Sequence, residues 1–122
     1  MRGKLALACV VMSIGVFLVG GVALADGFRG TSGPDEISGT NGADLIKGFG
    51  GSDRLSGRSG DDDVYGDGGS DTLRGNNGDD YLVANDGRRD TIYCGDGKDF
   101  VYADPVDLVY YGCETIRIDR SR

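Results

Sequence analysis

Histidine and tryptophan are both absent from this chain of 122 residues. Without histidine, the chain cannot build a Ser-His-Asp or Cys-His catalytic group, nor a zinc or iron site with imidazole ligands. Aromatic residues make up only 8% of the sequence, so the large side chains that usually fill a core are scarce. Glycine, in contrast, occurs 23 times, and each glycine loses much conformational freedom on folding. Something other than apolar burial must therefore stabilise any fold.

Positive charge is also in short supply. The 13 basic residues are outnumbered by 20 acidic ones, which gives a formal net charge of -7. This balance argues against nucleic acid or anionic membrane surfaces as partners and favours cations. The length allows one domain, in which an ordinary hydrophobic core would be small.

The first 25 residues differ in composition from the rest. Arg2 and Lys4 precede an uncharged apolar stretch that starts at Leu5 and ends in Ala23-Leu24-Ala25. This pattern predicts a secretory signal peptide, residues 1–25, cleaved after Ala25. The protein is then expected to be secreted and extracellular, without stable membrane insertion, and its formal charge becomes -9 because two basic residues are lost.

An uncleaved membrane anchor is the alternative, since the uncharged stretch is long enough to span a bilayer. Gly20-Gly21 weakens a helix just before the small residues, which favours cleavage. Cleavage also removes Cys9 and leaves Cys94 and Cys113 in a compartment where disulfides persist. We expect these two to form a structural disulfide, and closing their loop contributes about 3 kcal/mol in the chain-entropy model.

A repeat of nine residues runs from Gly30 to Val83 in six consecutive units. Four positions recur in each unit: an opening glycine, a second glycine three residues later, an aspartate, and an aliphatic residue. The opening glycines are Gly30, Gly39, Gly48, Gly57, Gly66 and Gly75; the second glycines are Gly33, Gly42, Gly51, Gly60, Gly69 and Gly78; the aspartates are Asp35, Asp44, Asp53, Asp62, Asp71 and Asp80; and the aliphatic residues are Ile37, Ile46, Leu55, Val64, Leu73 and Leu82. Such a fixed period indicates a stacked repeat architecture.

Each unit reads as a turn followed by a short strand. The first six residues are rich in glycine and turn-forming polar residues, and the last three, such as Arg54-Leu55-Ser56, alternate polar and apolar. Stacking the units in parallel buries the aliphatic residues, but it also aligns the aspartates at a spacing of roughly 4.8 Å, where they repel one another. A divalent cation between turns would offset this repulsion. Calcium suits mixed carboxylate and carbonyl ligands better than magnesium does.

These units resemble the nonapeptide calcium-binding repeats of RTX, or hemolysin-type, proteins, whose pattern is Gly-Gly-x-Gly-x-Asp-x-aliphatic-x. The resemblance extends over about Gly30 to Val109. It implies an all-β fold, a parallel β-roll or calcium-stabilised β-solenoid of about eight units. In such a roll two units make one turn, and several calcium ions lie between units n and n+2. The implied metal ligands form two columns of aspartates together with the backbone of Gly33, Gly42, Gly51, Gly60, Gly69 and Gly78: Asp35, Asp53 and Asp71 in one column, and Asp44, Asp62 and Asp80 in the other.

Some features depart from the family pattern. The family pattern has a glycine directly after the opening glycine, and in this chain that position is occupied by Thr31, Thr40, Phe49, Arg58, Asp67 and Asn76. Pro34 predicts an irregular edge in the first unit. After Val83, one inserted residue in Gly87-Arg88-Arg89-Asp90 predicts a bulge. Beyond it, Asp90 and Asp99 extend the columns as weaker candidate ligands.

The chain therefore divides into a signal peptide (1–25), a calcium-binding β-roll (26–109) and a C-terminal cap and tail (110–122), the cap being joined to the roll through Cys94 and Cys113. One sheet of the roll would present an apolar outer face containing Tyr65, Tyr81, Phe100 and Tyr102. We expect Tyr110, Tyr111 and the tail to cover this face. The alternative is that it binds a surface glycan or a protein partner.

Three functions are compatible with at least part of the sequence. A secreted calcium-binding protein that folds on binding calcium is favoured, with a calcium-rigidified adhesive or surface-interaction module as the alternative. Catalysis by closely spaced carboxylates such as Asp61, Asp62 and Asp63 is disfavoured, because aspartates at every repeat are better explained as ligands. A disordered glycine-rich tail would not need an aliphatic residue at a fixed position in each unit.

Overall fold

The computed structural model describes residues 27–110 and 112–121, and the predicted signal peptide and Tyr111 lie outside them. The described residues form eleven short strands in two parallel sheets. The strands are β1 (Phe28–Arg29), β2 (Glu36–Ser38), β3 (Leu45–Lys47), β4 (Arg54–Ser56), β5 (Asp63–Tyr65), β6 (Thr72–Asn76), β7 (Tyr81–Val83), β8 (Thr91–Gly95), β9 (Phe100–Ala103), β10 (Leu108–Val109) and β11 (Thr115–Ile118).

Successive strands alternate between the two sheets. One sheet has the order β1-β3-β5-β7-β9-β11 and the other β10-β8-β6-β4-β2, so each strand pairs with the strand two units away. The register keeps equivalent residues together, for example Ile46 with Val64 and Val64 with Leu82. The chain thus winds as a β-solenoid of about five turns, and the predicted parallel β-roll is confirmed.

The core is the narrow space between the two sheets. The middle residue of each three-residue strand faces inward, as the alternation of polar and apolar residues predicts. The buried apolar side chains are Phe28, Ile37, Ile46, Leu55, Val64, Leu73, Leu82, Ala84, Ile92, Cys94, Val101 and Ala103. Most of this set is one aliphatic residue per unit, so the core grows with each turn but never becomes wide.

Both ends of the roll extend further than the repeat pattern predicts. Phe28 and Arg29, which precede the first repeat unit, form β1 and pair with β3. At the other end, β10, the last strand of the predicted roll, pairs with β8, and β11, in the predicted cap, pairs with β9. The predicted disulfide between Cys94 and Cys113 is confirmed, with a Cα–Cα distance of 5.2 Å. In the part of the chain that the structure describes, no helix is long and apolar enough to cross a bilayer.

The inserted residue after Val83 causes no bulge in a strand, contrary to the sequence expectation. Thr72 pairs with Thr91 and Leu73 with Ile92, so the ladder stays in register on both sides of the insertion. The extra residue is instead accommodated in the bend that includes Gly87 and Arg88. A turn absorbs an extra residue more easily than a strand does, because no ladder hydrogen bond is lost.

In four of the six units, the residue after the opening glycine has a backbone conformation typical of glycine although it carries a side chain. Their φ angles lie in the left-handed region: 66° at Phe49, 71° at Arg58, 60° at Asp67 and 69° at Asn76. This conformation costs Phe49 and Arg58 about 1–2 kcal/mol each, whereas the short polar side chains of Asp67 and Asn76 tolerate it better. At Phe49 and Arg58 the fold therefore imposes the turn geometry against local preference.

We predict that Gly69→Ala destabilises the calcium-loaded roll by about 2–4 kcal/mol, because a Cβ atom there would overlap the Gly51 carbonyl oxygen at a φ of 99°. Gly68→Ala is the matched control, since nothing lies within 4 Å of its Cβ position. Urea unfolding of both variants in saturating calcium measures the difference. Equal stability of the two variants would contradict the close stacking of turns.

Candidate metal centre

The aspartates of the repeat form two continuous hydrogen-bonded columns. In the six aspartates from Asp53 onward, one carboxylate oxygen accepts the backbone N–H of the aspartate one turn earlier. The bonds run from Asp35 to Asp53, Asp53 to Asp71 and Asp71 to Asp90 in one column, and from Asp44 to Asp62, Asp62 to Asp80 and Asp80 to Asp99 in the other, at donor–acceptor distances of 2.6–2.9 Å. The structure therefore brings all eight predicted aspartates into the two expected columns.

The other carboxylate oxygen is unsatisfied in most of these residues. In six aspartates Oδ2 is buried and accepts no hydrogen bond from the described residues: Asp53, Asp62, Asp71, Asp80, Asp90 and Asp99. All six side chains are at most 3% exposed. An ionised oxygen that is buried without a partner is strongly disfavoured, so these positions require either a proton or a cation.

The pKa values of the columns reflect this cost. Burial raises the pKa of Asp53, Asp71 and Asp80 to about 7. It raises the pKa of Asp62 and Asp90 to about 8. The backbone N–H bond works in the opposite direction, and the neighbouring carboxylates raise the pKa further. Near neutral pH, these carboxyl groups therefore either keep a proton or bind a cation.

In the four units that begin at Gly48, Gly57, Gly66 and Gly75, the unpaired carboxylate oxygen lies beside the opening glycine of its own unit. In the Gly48 unit, Asp53 Oδ2 lies so close to the opening glycine that a Cβ atom on Gly48 would approach it to less than 3.0 Å. The carbonyl oxygen of Gly66, the opening glycine of the next turn, lies 3.0 Å from the same Cβ position. We call this space, bounded by the carboxylate, its opening glycine and the next turn's carbonyl, the inter-turn gap. Its oxygen atoms are of the kind that calcium prefers, so the residues present fit calcium.

Side chains alone do not complete a site. Among residues 27–110 and 112–121, no three or more carboxylate or cysteine side chains converge closely enough to hold a metal ion. Backbone carbonyls must therefore supply most of the ligands. The second glycines predicted as such ligands stack turn on turn, with the Gly33 carbonyl oxygen 2.6 Å from the Cβ position of Gly51. The carbonyl oxygen of the opening glycine Gly66 lies next to the same Cβ position as Asp53 Oδ2, and the sequence analysis had not assigned the opening glycines as ligands.

Asp35 and Asp44 differ from the other six aspartates. Asp35 Oδ2 accepts the backbone N–H of Thr31 at 2.6 Å, and Asp44 Oδ2 accepts that of Thr40 at 2.6 Å. The hydroxyl of each threonine is also within hydrogen-bonding distance of both carboxylate oxygens, at 2.9–3.1 Å. These two carboxylates are therefore satisfied by their own unit.

The structure adds two acidic residues that the sequence analysis missed. Asp107 accepts the N–H of Asp90 at 2.8 Å, and Glu114 accepts the N–H of Asp99 at 2.9 Å. They end the two columns, Asp107 at the end of the predicted roll and Glu114 in the predicted cap. Each directly precedes a strand, as every repeat aspartate does, and that position is the signal by which they could have been found.

The aromatic outer face, defined here by Tyr65, Tyr81, Phe100 and Tyr102, belongs to one sheet as predicted. Tyr81 stacks on Phe100 at 5.2 Å between ring centroids and meets Tyr65 edge-on at 6.3 Å. The expectation that Tyr110 covers this face is wrong. Tyr110 stacks instead on Tyr93, in the other sheet, because β10 pairs with β8. The tail extends the sheet edge through β11 and leaves Tyr81 37% exposed.

Comparison with known proteins identifies one family. The family described as RTX calcium-binding nonapeptide repeat matches in four copies, at residues 29–64, 56–89, 65–101 and 87–105. No curated protein and no solved structure matches the chain. The matched residues contain both aspartate columns from Asp35 to Asp99.

We predict that the calcium-free chain is more ordered at pH 5 than at pH 8. The folded-state pKa values of about 7 to 8 lie above the ordinary value of 3.8, so the folded form binds protons more tightly than the unfolded form. The resulting stabilisation is complete below about pH 4 and is lost as the pH rises through 7 to 8. Far-ultraviolet circular dichroism of the calcium-stripped chain measures this. Greater order at pH 8 would contradict the buried, unpaired carboxylates.

Proposed function

Because the chain belongs to the RTX calcium-binding nonapeptide repeat family, we propose that it is a secreted protein that folds on binding calcium outside the cell. The observation that carries this proposal is the set of six buried, unpaired carboxylate oxygens. A calcium ion in each inter-turn gap supplies the positive charge that these oxygens lack. The same ion joins two successive turns, so binding and folding become one process.

The proposed calcium ligands are the carboxylates of the two columns and the backbone carbonyls of the glycine turns. Asp53, Asp62, Asp71 and Asp80 have an opening glycine, whereas Asp90 and Asp99 follow Ala84 and Cys94 at that position. Asp35 and Asp44 complete the set of eight but are already hydrogen-bonded to threonines. The carbonyls of Gly33, Gly42, Gly51, Gly60, Gly69 and Gly78 are the proposed backbone ligands, joined by those of the opening glycines.

Because folding requires calcium in this proposal, export determines where the chain folds. The core is only one aliphatic residue wide per unit, and without cations the columns place buried negative charges one turn apart. In a calcium-poor cytoplasm the chain would stay largely unfolded. After export through the proposed signal peptide, calcium at millimolar concentration orders the roll, and the Cys94–Cys113 disulfide fixes its C-terminal end. The proposed role is non-catalytic.

A second candidate function is attachment to a glycan or protein surface. The observation that favours it is the aromatic outer face, which is continuous across β5, β7 and β9 and remains uncovered at Tyr81. Lys47 adds a cation 5.5 Å from the centre of the Tyr65 ring. Stacked rings on a calcium-rigidified sheet offer a flat surface for the apolar faces of sugars.

We predict that Asp62→Asn weakens calcium binding by at least about tenfold, because it removes a buried negative charge from a column. The neighbouring variant Asp63→Asn removes an equal charge from an exposed position and should leave the affinity nearly unchanged. Calcium titrations followed by circular dichroism measure both variants. A folded wild-type spectrum in excess chelator at neutral pH would refute the coupling of folding to calcium.

For the second candidate, we predict that Tyr81→Ala abolishes retention on an immobilised neutral polysaccharide without changing calcium affinity. Tyr110→Ala is the matched control, since Tyr110 is similarly exposed, at 42% against 37% for Tyr81, but stacks on the opposite sheet. Affinity electrophoresis in calcium measures retention. If wild-type protein is not retained, or if both variants lose retention equally, the aromatic outer face is not the binding surface for that polymer.

A further inference from the structure

The first two units of the roll are built differently from the four that follow. From Gly48 onward, the residue after each opening glycine has a positive φ, at Phe49, Arg58, Asp67 and Asn76. Thr31 and Thr40 occupy the same position in the first two units and do not adopt this conformation. β-branched residues are especially strained at positive φ, so threonine here selects another turn geometry.

The change of geometry redirects the backbone N–H toward the carboxylate. Thr31 and Thr40 each donate their N–H to the aspartate of their own unit at 2.6 Å. Phe49 N–H bonds instead to exposed Asp67, at 3.3 Å, and leaves Asp53 Oδ2 unpaired. The residue after the opening glycine therefore determines whether the carboxylate finds its partner within the unit.

An N–H at this place competes directly with a cation. The Asp35 oxygen that Thr31 bonds is the one beside Gly30 and the carbonyl of Gly48, which corresponds to the inter-turn gap of the later units. The hydrogen of the N–H brings partial positive charge into this gap and would repel a calcium ion there. The threonine hydroxyl reinforces the closure by contacting the carboxylate and accepting the N–H of the second glycine at 3.1 Å.

We infer that Thr31 and Thr40 close the first two inter-turn gaps without calcium, so that the ions begin at Asp53 and the first two units form a metal-independent N-terminal cap. This inference rests on the proposed calcium-dependent function and restricts it to part of the array. The two ends of the roll are then closed by different chemistry: threonine–aspartate hydrogen bonds at one end, and the disulfide-linked cap at the other.

The test counts calcium ions bound by the full chain. We expect Thr40→Gly, which restores the family residue, to add one ion per molecule, and the double variant with Thr31→Gly to add one more. Thr40→Val is the matched control: it removes the hydroxyl but keeps the β-branched shape and the N–H donor, and it should add none. Equilibrium dialysis up to about 10 mM calcium, roughly ten times the weakest dissociation constant of extracellular sites, gives the number bound. Circular dichroism in calcium confirms that each variant is folded.

The possible results separate the two ideas. If wild-type protein binds calcium and the folded glycine variants bind the same number of ions, the closure by threonine is overturned while the proposed function stands. A gain of an ion in Thr40→Val would also overturn it. If wild-type protein binds no calcium at all, the proposed function fails and the inference falls with it.

Discussion

The structure depends on aligned carboxylates that are buried one turn apart. Each column aspartate from Asp53 onward accepts a backbone hydrogen bond from the previous turn, which fixes its place in the column, as Asp80 does from Asp62 N–H at 2.9 Å. The second oxygen of most of these carboxylates has no such partner. The hydrogen bonds specify how the turns stack, and the unpaired oxygens make that stack unfavourable at neutral pH unless positive charge is supplied. Geometry and charge thus oppose each other until a cation enters.

Much of this arrangement could be predicted from the sequence, because a single nine-residue period determines where the strands, the buried residues and the aspartates lie. The nine-residue spacing gives the alternation of sheets, the inward position of Leu55 or Val64, and the two aspartate columns. Family resemblance adds the pairing of units n and n+2, which the strand register confirms. The pairing of Cys94 with Cys113 was likewise predictable, because these are the two cysteines that remain after the predicted signal peptide.

Two kinds of feature could not be predicted: those that lie beyond the regular repeat, and those for which two backbone conformations compete at the same position of the unit. Asp107 and Glu114 lie in shortened units, so counting from the repeat misses them although their hydrogen bonds are equivalent. Tyr110 reaches the opposite sheet because the short connection before β10 keeps the alternation going. Thr40 and Arg58 occupy the same position in the unit, yet one bonds the carboxylate and the other adopts a φ of 71°. Side-chain branching decides between these outcomes, and a consensus pattern does not include it.

Because successive units alternate between two sheets, adding or removing an even number of units affects the fold differently from adding or removing an odd number. Two units complete one turn, so gaining or losing a pair of units lengthens or shortens the roll and leaves every outward residue on its original face. Gaining or losing a single unit would move all later strands to the other sheet. Tyr81 and Phe100 would then stand in line with Arg54 instead of Asp63, and the aromatic outer face would be broken up. Duplication and deletion during evolution can therefore change the length of this protein freely only in steps of one whole turn.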